Sequence, residues 1–396
     1  MWAPVAEGEP VIKGNGFQGR AGQRGHRAQG ASQGMRATGG KGETRMLKAL
    51  FCTADSVTAG TGGGNVCLNE LQALREFVNG VGSVVVIEGK DINPANYRQP
   101  DSPFLYDFFA LQLVKGQHFD LAHFYSGTFT QTISWLKSRG TKVTYTCPAH
   151  DRKVSVEEFQ RLGLEYPFHH IKDDDLWNIY SEGHRLADVV ITPSNMSARV
   201  MKDEGCKNVV MIPHGCDLPN RVKSVPKDFT ASYVGQIGPD KGVIYLILAW
   251  GMLGYDDAKL ILAGQGTEIL EPTIRSLVDA GGFQLMGYVQ NPGEVYDTSS
   301  VYIQPSVEES FGIPILEAMA HGRPVIASEG AGASELVDGG GFVVPRRDPK
   351  AIADKVSYLK NNPNLVGEMG RNAREKAKNY TWAKIRRQYG RVWASL

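Results

Sequence analysis

Pro305–Ser–Val–Glu–Glu309–Ser–Phe–Gly312–Ile–Pro314–Ile–Leu–Glu317–Ala–Met–Ala–His–Gly322–Arg–Pro324–Val–Ile–Ala327–Ser328 is the stretch on which the reading of this chain turns. Val301–Gln304, just ahead of it, is a short apolar run that predicts a strand. Gly312 permits a turn, and Pro314 fits the first turn of a helix, where its missing N–H costs nothing. Gly322 marks the helix end, Pro324 the stop, and Val325–Ala327 the next strand. Strand, loop, helix and strand make a βαβ unit. Its loop lies where the carboxyl ends of parallel strands face a crevice.

Two carboxylates, Glu309 and Glu317, stand eight positions apart on either side of the helix start. The free amides of a helix N-terminus bind phosphate. Glu309 can accept from one set of hydroxyls and Glu317, one turn in, from another. A sugar nucleotide has that layout, with sugar hydroxyls, a diphosphate and ribose hydroxyls in line. The same spacing also suits two solvated glutamates on an amphipathic helix.

Working outward, the alternation of strand and helix occurs twice. Leu47–Thr53, Ser83–Ile87, Phe119–His123, Lys142–Tyr145, Val189–Thr192 and Val209–Ile212 predict six strands, with helical stretches between most of them. A linker is expected from about Met211 to Lys227. Ala231–Gly235, Lys259–Ala263, Phe283–Met286, Val301–Gln304, Pro324–Ala327 and Phe342–Val344 predict six more. A helical region from Pro349 to the end, interrupted near Tyr380, closes the chain. The pattern predicts an α/β protein of two Rossmann-like, doubly wound parallel sheets facing a cleft.

The stretch quoted above resembles the donor-site signature of retaining glycosyltransferases of the GT-B fold, glycosyltransferase family 4, and its glutamate spacing is similar to that family's E-x7-E motif. The likeness covers nearly all of residues 47–396. "GHRLADVVITPSNMSARVMKDEGCKNVVMIPHGCD" resembles the family's last N-terminal strand, helix and hinge, and "YVGQIGPDKGVIYLILAW" the opening of its C-terminal domain. "TWAKIRRQYGRVW" is similar to the final helix, which in this fold crosses back to the N-terminal domain. The resemblance implies an acceptor-binding domain over 46–222, a donor domain over 223–378 and a crossover helix over 379–396.

It also implies the roles of individual residues. Lys241, at a helix start in "VGQIGPDKG", would stabilise the leaving diphosphate. The family usually places Arg after the glycine of that motif, and here the position after Gly235 is Gln236, which donates a hydrogen bond without charge. Either Lys241 and backbone amides suffice, or another cation substitutes, for which Arg152, Lys153 and Arg323 are the candidates. Glu309 would hold the sugar hydroxyls, Glu317 the ribose, and the amides of Phe311, Gly312 and Ile313 the sugar and phosphates. His150, in "CPAHDRK", would contact the donor sugar, whereas His123 matches a structural position. The base would sit against Gly287–Val289 and Gly264–Gly266. Gly62, Gly63 and Gly64, read as a loop before a helix from about Asn65, offer bare amides to a diphosphate or an acceptor. The expected reaction is metal-independent transfer of a hexose from a UDP- or GDP-sugar, with no bound cofactor, to a glycan, lipid or small-molecule acceptor.

Other readings have weaker support. The dinucleotide fingerprint G-x-G-x-x-G fails, because it ends on Asn65 when started at Gly60 and on Cys67 when started at Gly62. That argues against a dehydrogenase, although Glu88 imitates its ribose-binding acid. Asp173–Asp174–Asp175 imitates a D-x-D metal site but precedes a helix start, where acidic residues suit the dipole. His169–His170 lacks a third metal ligand. An epimerase, a phosphorylase and a non-catalytic sugar-nucleotide binder or scaffold remain as alternatives, the last because of Gln236.

Composition bounds these readings. The 396 residues are 42% hydrophobic and 21% charged, with five cysteines and no C-x-x-C pair, which fits free thiols in a reducing cytoplasm. Residues 1–45 carry seven basic and three acidic residues and few periodic apolar ones, so a disordered tail or a stretch upstream of a start at Met46 is expected. The remainder is mildly acidic, which argues against nucleic acid as a partner. Lys137, Arg139 and Lys142 are the slender basis for peripheral contact with a membrane face.

Overall fold

The computed structural model describes residues 46–55, 57, 62–79, 81–92, 102–166, 181–266 and 282–396. Residues 1–45, His169–His170 and Asp173–Asp175 lie outside these. The first sheet contains β1 (Leu47–Thr53), β2 (Gly82–Ile87), β3 (Leu121–Tyr125), β4 (Lys142–Thr146), β5 (Val189–Thr192) and β6 (Val209–Met211). They run parallel in the order β2-β1-β3-β4-β5-β6. The second sheet contains β7 (Thr230–Val234), β8 (Lys259–Ala263), β9 (Phe283–Gly287), β10 (Val301–Gln304), β11 (Val325–Ser328) and β12 (Gly341–Val344). Its order is β12-β11-β10-β7-β8-β9, again all parallel. Central strands such as β3, β7 and β10 are buried throughout. That is why Val301–Ile303 in β10 reads as a continuous apolar run, whereas β3 and β7 bury His123, Thr230 and Ser232 among their apolar residues.

Most strand ends differ from the sequence expectation by a residue or so, and three differences are larger or alter a reading. β3 starts at Leu121, and Asp120 N donates to Lys48 O at 2.8 Å just ahead of it. The first helix runs Gly62–Val78, so Gly62–Gly64 form its first turn and not a loop. The terminal helical region breaks at Asn361–Asn362, ahead of Pro363, as well as near Tyr380.

The last helix, Trp382–Ala394, crosses back to the first sheet. Tyr389 donates to the buried Glu70 at 2.5 Å, and Trp393 Nε1 donates to Thr144 Oγ1 at 3.0 Å. His123 pairs with Glu70 at 2.9 Å and Thr144 at 2.7 Å, which makes it part of this buried network. Arg386 adds bonds to Asn69 and Glu76 of the helix Gly62–Val78. No described helix is long and apolar enough to cross a membrane.

Candidate active site

Two loops at the carboxyl ends of β7 and β10 build the site. The first follows Gly235 and ends at Gly242, which has φ +64 and caps the helix Val243–Leu253. A Cβ at Gly242 would stand 2.2 Å from Pro305 O, so only glycine fits there. Asp240 O accepts from both Val307 N at 2.8 Å and Glu308 N at 3.0 Å. These two bonds lock the loop of Lys241 onto the loop of Glu309.

The second loop is equally constrained. Glu309 N donates to Gly330 O and Glu309 O accepts from Gly332 N, both at 2.9 Å. Gly312 has φ +94 and caps the helix Ile313–Ala320, whose first turn contains Pro314. Arg374 donates to Ala320 O at the other end of that helix, where a cation complements the dipole. The helix is held at its C-terminus, and Ile313 and Pro314 at its start line the crevice.

Lys241 Nζ lies 2.7 Å from Glu309 Oε2 and 3.3 Å from Asp240 Oδ2. Burial opposes the lysine's charge, but the two carboxylates outweigh it and hold the pKa above 10.5. Burial likewise opposes ionisation of Glu309, and Lys241 outweighs it, so the glutamate pKa falls below 4.5. His150 is exposed, yet crowding by protein and then the Lys241 cation lower its pKa. His214 is buried against Phe311, with ring centroids 5.1 Å apart, and burial lowers its pKa to about 4.

A cavity of about 690 Å³ opens beside this cluster. Gly235, Gln236 and Gly264 line it where β7 and β8 end, Val289 on a second side, and Ile313 and Glu317 on a third. Gly264 is required, since a Cβ there would stand 1.7 Å from Gly235 O. Gly62 and Asn65 of the first sheet's helix face across. Glu317 accepts from Tyr296 at 2.7 Å, and burial raises its pKa.

Gly287 ends β9 at φ +62, and its neighbours Tyr288 and Val289 line the cavity. Gly63 faces Asp55 and Tyr125, Gly64 is buried, and Phe311 is buried beside Gly312. Arg323 is buried and donates to Lys223 O and Asp297 O, so it is no substitute cation beside Gln236. Lys137 pairs with Asp188 at 2.6 Å, which offsets one of the three charges of the basic face, while Arg139 keeps its charge and lies over Trp135.

Sequence reasoning did not single out Glu308. It is buried, accepts from Asp151 N at 2.8 Å, and has Arg346 at 3.5 Å. Its only signal was the Glu308–Glu309 doublet. Ser194, whose hydroxyl donates to Ser310 O at 2.7 Å, was also missed and carries no signal in its own neighbourhood.

Comparison with known proteins bears on the family and the fold. Residues 65–219 match the model described as Glycosyltransferase Family 4, and residues 228–362 the one described as Glycosyl transferases group 1. The capsular polysaccharide biosynthesis glycosyltransferase CapM of Staphylococcus aureus is 32% identical over 181 residues, 44% of this chain and 46% of that protein. The chain spans about half the length of the curated relatives it matches. Sucrose-phosphate synthase from Thermosynechococcus elongatus has the same fold, with a TM-score of 0.72 at 18% identity over 89% of this chain and 99% of that one. So does Anabaena HepE in complex with UDP-glucose, with a TM-score of 0.65 at 19% identity over 88% of this chain and 100% of that one.

Proposed function

Since the chain belongs to the group 1, family 4 glycosyltransferases, we propose that it transfers a hexose from a UDP- or GDP-sugar to a glycan, lipid or small-molecule hydroxyl. The observation that carries this reading is one turn and helix presenting Glu309, paired with Lys241 at 2.7 Å, at one end and Glu317, on the cavity, at the other. The nucleoside occupies the cavity, with its ribose hydroxyls donating to Glu317 and its diphosphate along Gly235, Gln236 and Lys241. The sugar lies toward Glu309 and His150. Uracil is the first base to test, because the HepE fold holds UDP-glucose.

Stereochemistry is retained in this reading, without a metal, as the family resemblance implies. The bond from the anomeric carbon to the phosphate oxygen breaks, and its electron pair stays on that oxygen. Lys241 and helix amides stabilise the charge as it develops. The acceptor hydroxyl attacks on the same face, and its proton passes to the leaving phosphate oxygen. Glu309 stabilises the oxocarbenium-like sugar and forms no covalent bond to it. The acceptor binds the 46–222 side, the donor the 223–378 side, and the protein works at the cytoplasmic side.

Incubation with UDP- and GDP-sugars and a panel of glycan and lipid acceptors, read by release of the nucleoside diphosphate, tests the proposal. Release that depends on an acceptor supports it. Binding of a nucleotide sugar without release on any acceptor favours the second reading, a binding or scaffold role, which draws on Gln236 and on a Lys241 already shared by two carboxylates.

A further inference from the structure

The helix Arg152–Arg161 follows β4 of the first sheet, yet groups from the second sheet hold it. It begins two residues after His150. At its start Asp151 N donates to Glu308 Oε1 at 2.8 Å. Two turns on, Glu158 has no exposed surface at all. Its carboxylate accepts from Tyr245 Oη at 2.6 Å and from Arg347 Nε at 2.6 Å. Tyr245 stands on the helix that follows Lys241, and Arg347 in the loop after β12. Arg347 has φ +61, a left-handed backbone conformation uncommon for a non-glycine residue, which supports a position imposed by its contact. Asp151, Ser155 and Glu158 share one helix face by their spacing, and the Ser155 hydroxyl is buried on it with no hydrogen-bond partner among the described residues.

A buried carboxylate is tolerated when its oxygens are bonded and its charge is met. The partners that satisfy Glu158 come mainly from the second sheet's elements. Arg161, its neighbour on the same helix, is more distant at 3.9 Å. Separating the sheets would therefore leave the glutamate without its two short contacts. Its grip favours a single placement of the helix Arg152–Arg161, and so of the loop that precedes it.

Resting on the reading that His150 works over Lys241 and Glu309, we propose that Glu158 is a positioning residue. With Tyr245 and Arg347 it latches the helix Arg152–Arg161 to the second domain, and with Glu308 on Asp151 this latch sets where His150 stands. Affinity for the free nucleoside diphosphate does not depend on it, because the cavity residues Gln236, Gly264 and Glu317 take no part in the latch.

The test uses the full chain with Arg347→Met, Arg347→Lys and Tyr245→Phe, read by turnover and by hydrogen exchange of the helix amides. Arg347→Met is expected to speed exchange over Arg152–Arg161 and to lower kcat by about 10- to 100-fold. The Kd of the free nucleoside diphosphate stays at its wild-type value, and Arg347→Lys restores most of the turnover. Tyr245→Phe, which removes a single hydroxyl, gives a smaller change in the same direction and serves if Arg347→Met does not fold. Wild-type exchange and kcat in Arg347→Met would overturn the latch, as would a loss confined to donor KM. Absence of transfer by the wild type would overturn the reading of the site instead, and exchange alone then decides whether the latch stands.

Discussion

Lys241 Nζ stands 2.7 Å from Glu309 Oε2, with Asp240 Oδ2 3.3 Å from the same nitrogen. The cation assigned to the diphosphate is thus shared with two carboxylates, and a phosphate reaching it competes with Glu309. Removing the glutamate's charge separates two effects. Glu309→Gln is expected to lower transfer by about 100-fold, through lost stabilisation of the developing positive sugar. Free UDP or GDP should bind at least as tightly as in the wild type, because Lys241 is released. Titration and turnover on one preparation check both, and wild-type turnover would remove Glu309 from the site.

The same pair predicts a pH window for stability. Glu309 has its native pKa below 4.5, so its contribution is complete above that value and is lost as pH falls through the lower native one. Lys241 has its native pKa above 10.5, so its contribution is complete below that value and is lost as pH rises through the native one. The stability difference between wild type and Glu309→Gln should be flat from about pH 5 to 10 and shrink on either side. Denaturant titrations across pH measure it, and a slope at neutral pH would contradict the pairing.

Glu317 behaves in the opposite way. Burial raises its pKa, so its ionised form costs stability at neutral pH, and the cost disappears as pH falls below the unfolded value of 4.5. Glu317→Gln keeps an oxygen for the Tyr296 hydroxyl and removes the charge. Its melting temperature should match or exceed that of the wild type while donor KM rises about tenfold. A lower melting temperature with unchanged KM would make Glu317 a structural residue.

Gln236 lines the cavity and is exposed, so a longer charged side chain has room there. Gln236→Arg should lower donor KM by about tenfold at low salt, with the gain shrinking as ionic strength rises. An unchanged KM at every salt concentration would show that the diphosphate does not pass this residue.

The fold was legible in the sequence for a physical reason. Strands buried on both faces, such as Tyr302–Ile303 in β10 and Ile261–Leu262 in β8, leave apolar runs that need no partner to be recognised. The cavity wall was legible where one motif supplies neighbours in sequence, as Gly312 and Pro314 do for Ile313 and Glu317. Gly287 has positive φ at a strand end, and such a glycine looks the same in sequence whether or not a ligand passes it. Contacts between the two sheets were not legible. Glu308 meets Asp151 across 157 residues, and Glu158 meets Arg347 across 189. No periodicity marks either partner, so only the packed chain brings these charges together.

The central claim is that the cavity between Gly264 and Glu317 takes the nucleoside of a sugar donor. The most direct measurement is thermal unfolding of wild type and Glu317→Ala with UDP, GDP and their common sugar conjugates. One nucleotide family at 100 times its Kd should stabilise the wild type by about 2.7 kcal/mol, and the same concentration should stabilise Glu317→Ala far less. No stabilisation by any of these nucleotides, or an equal shift in both proteins, would contradict the account.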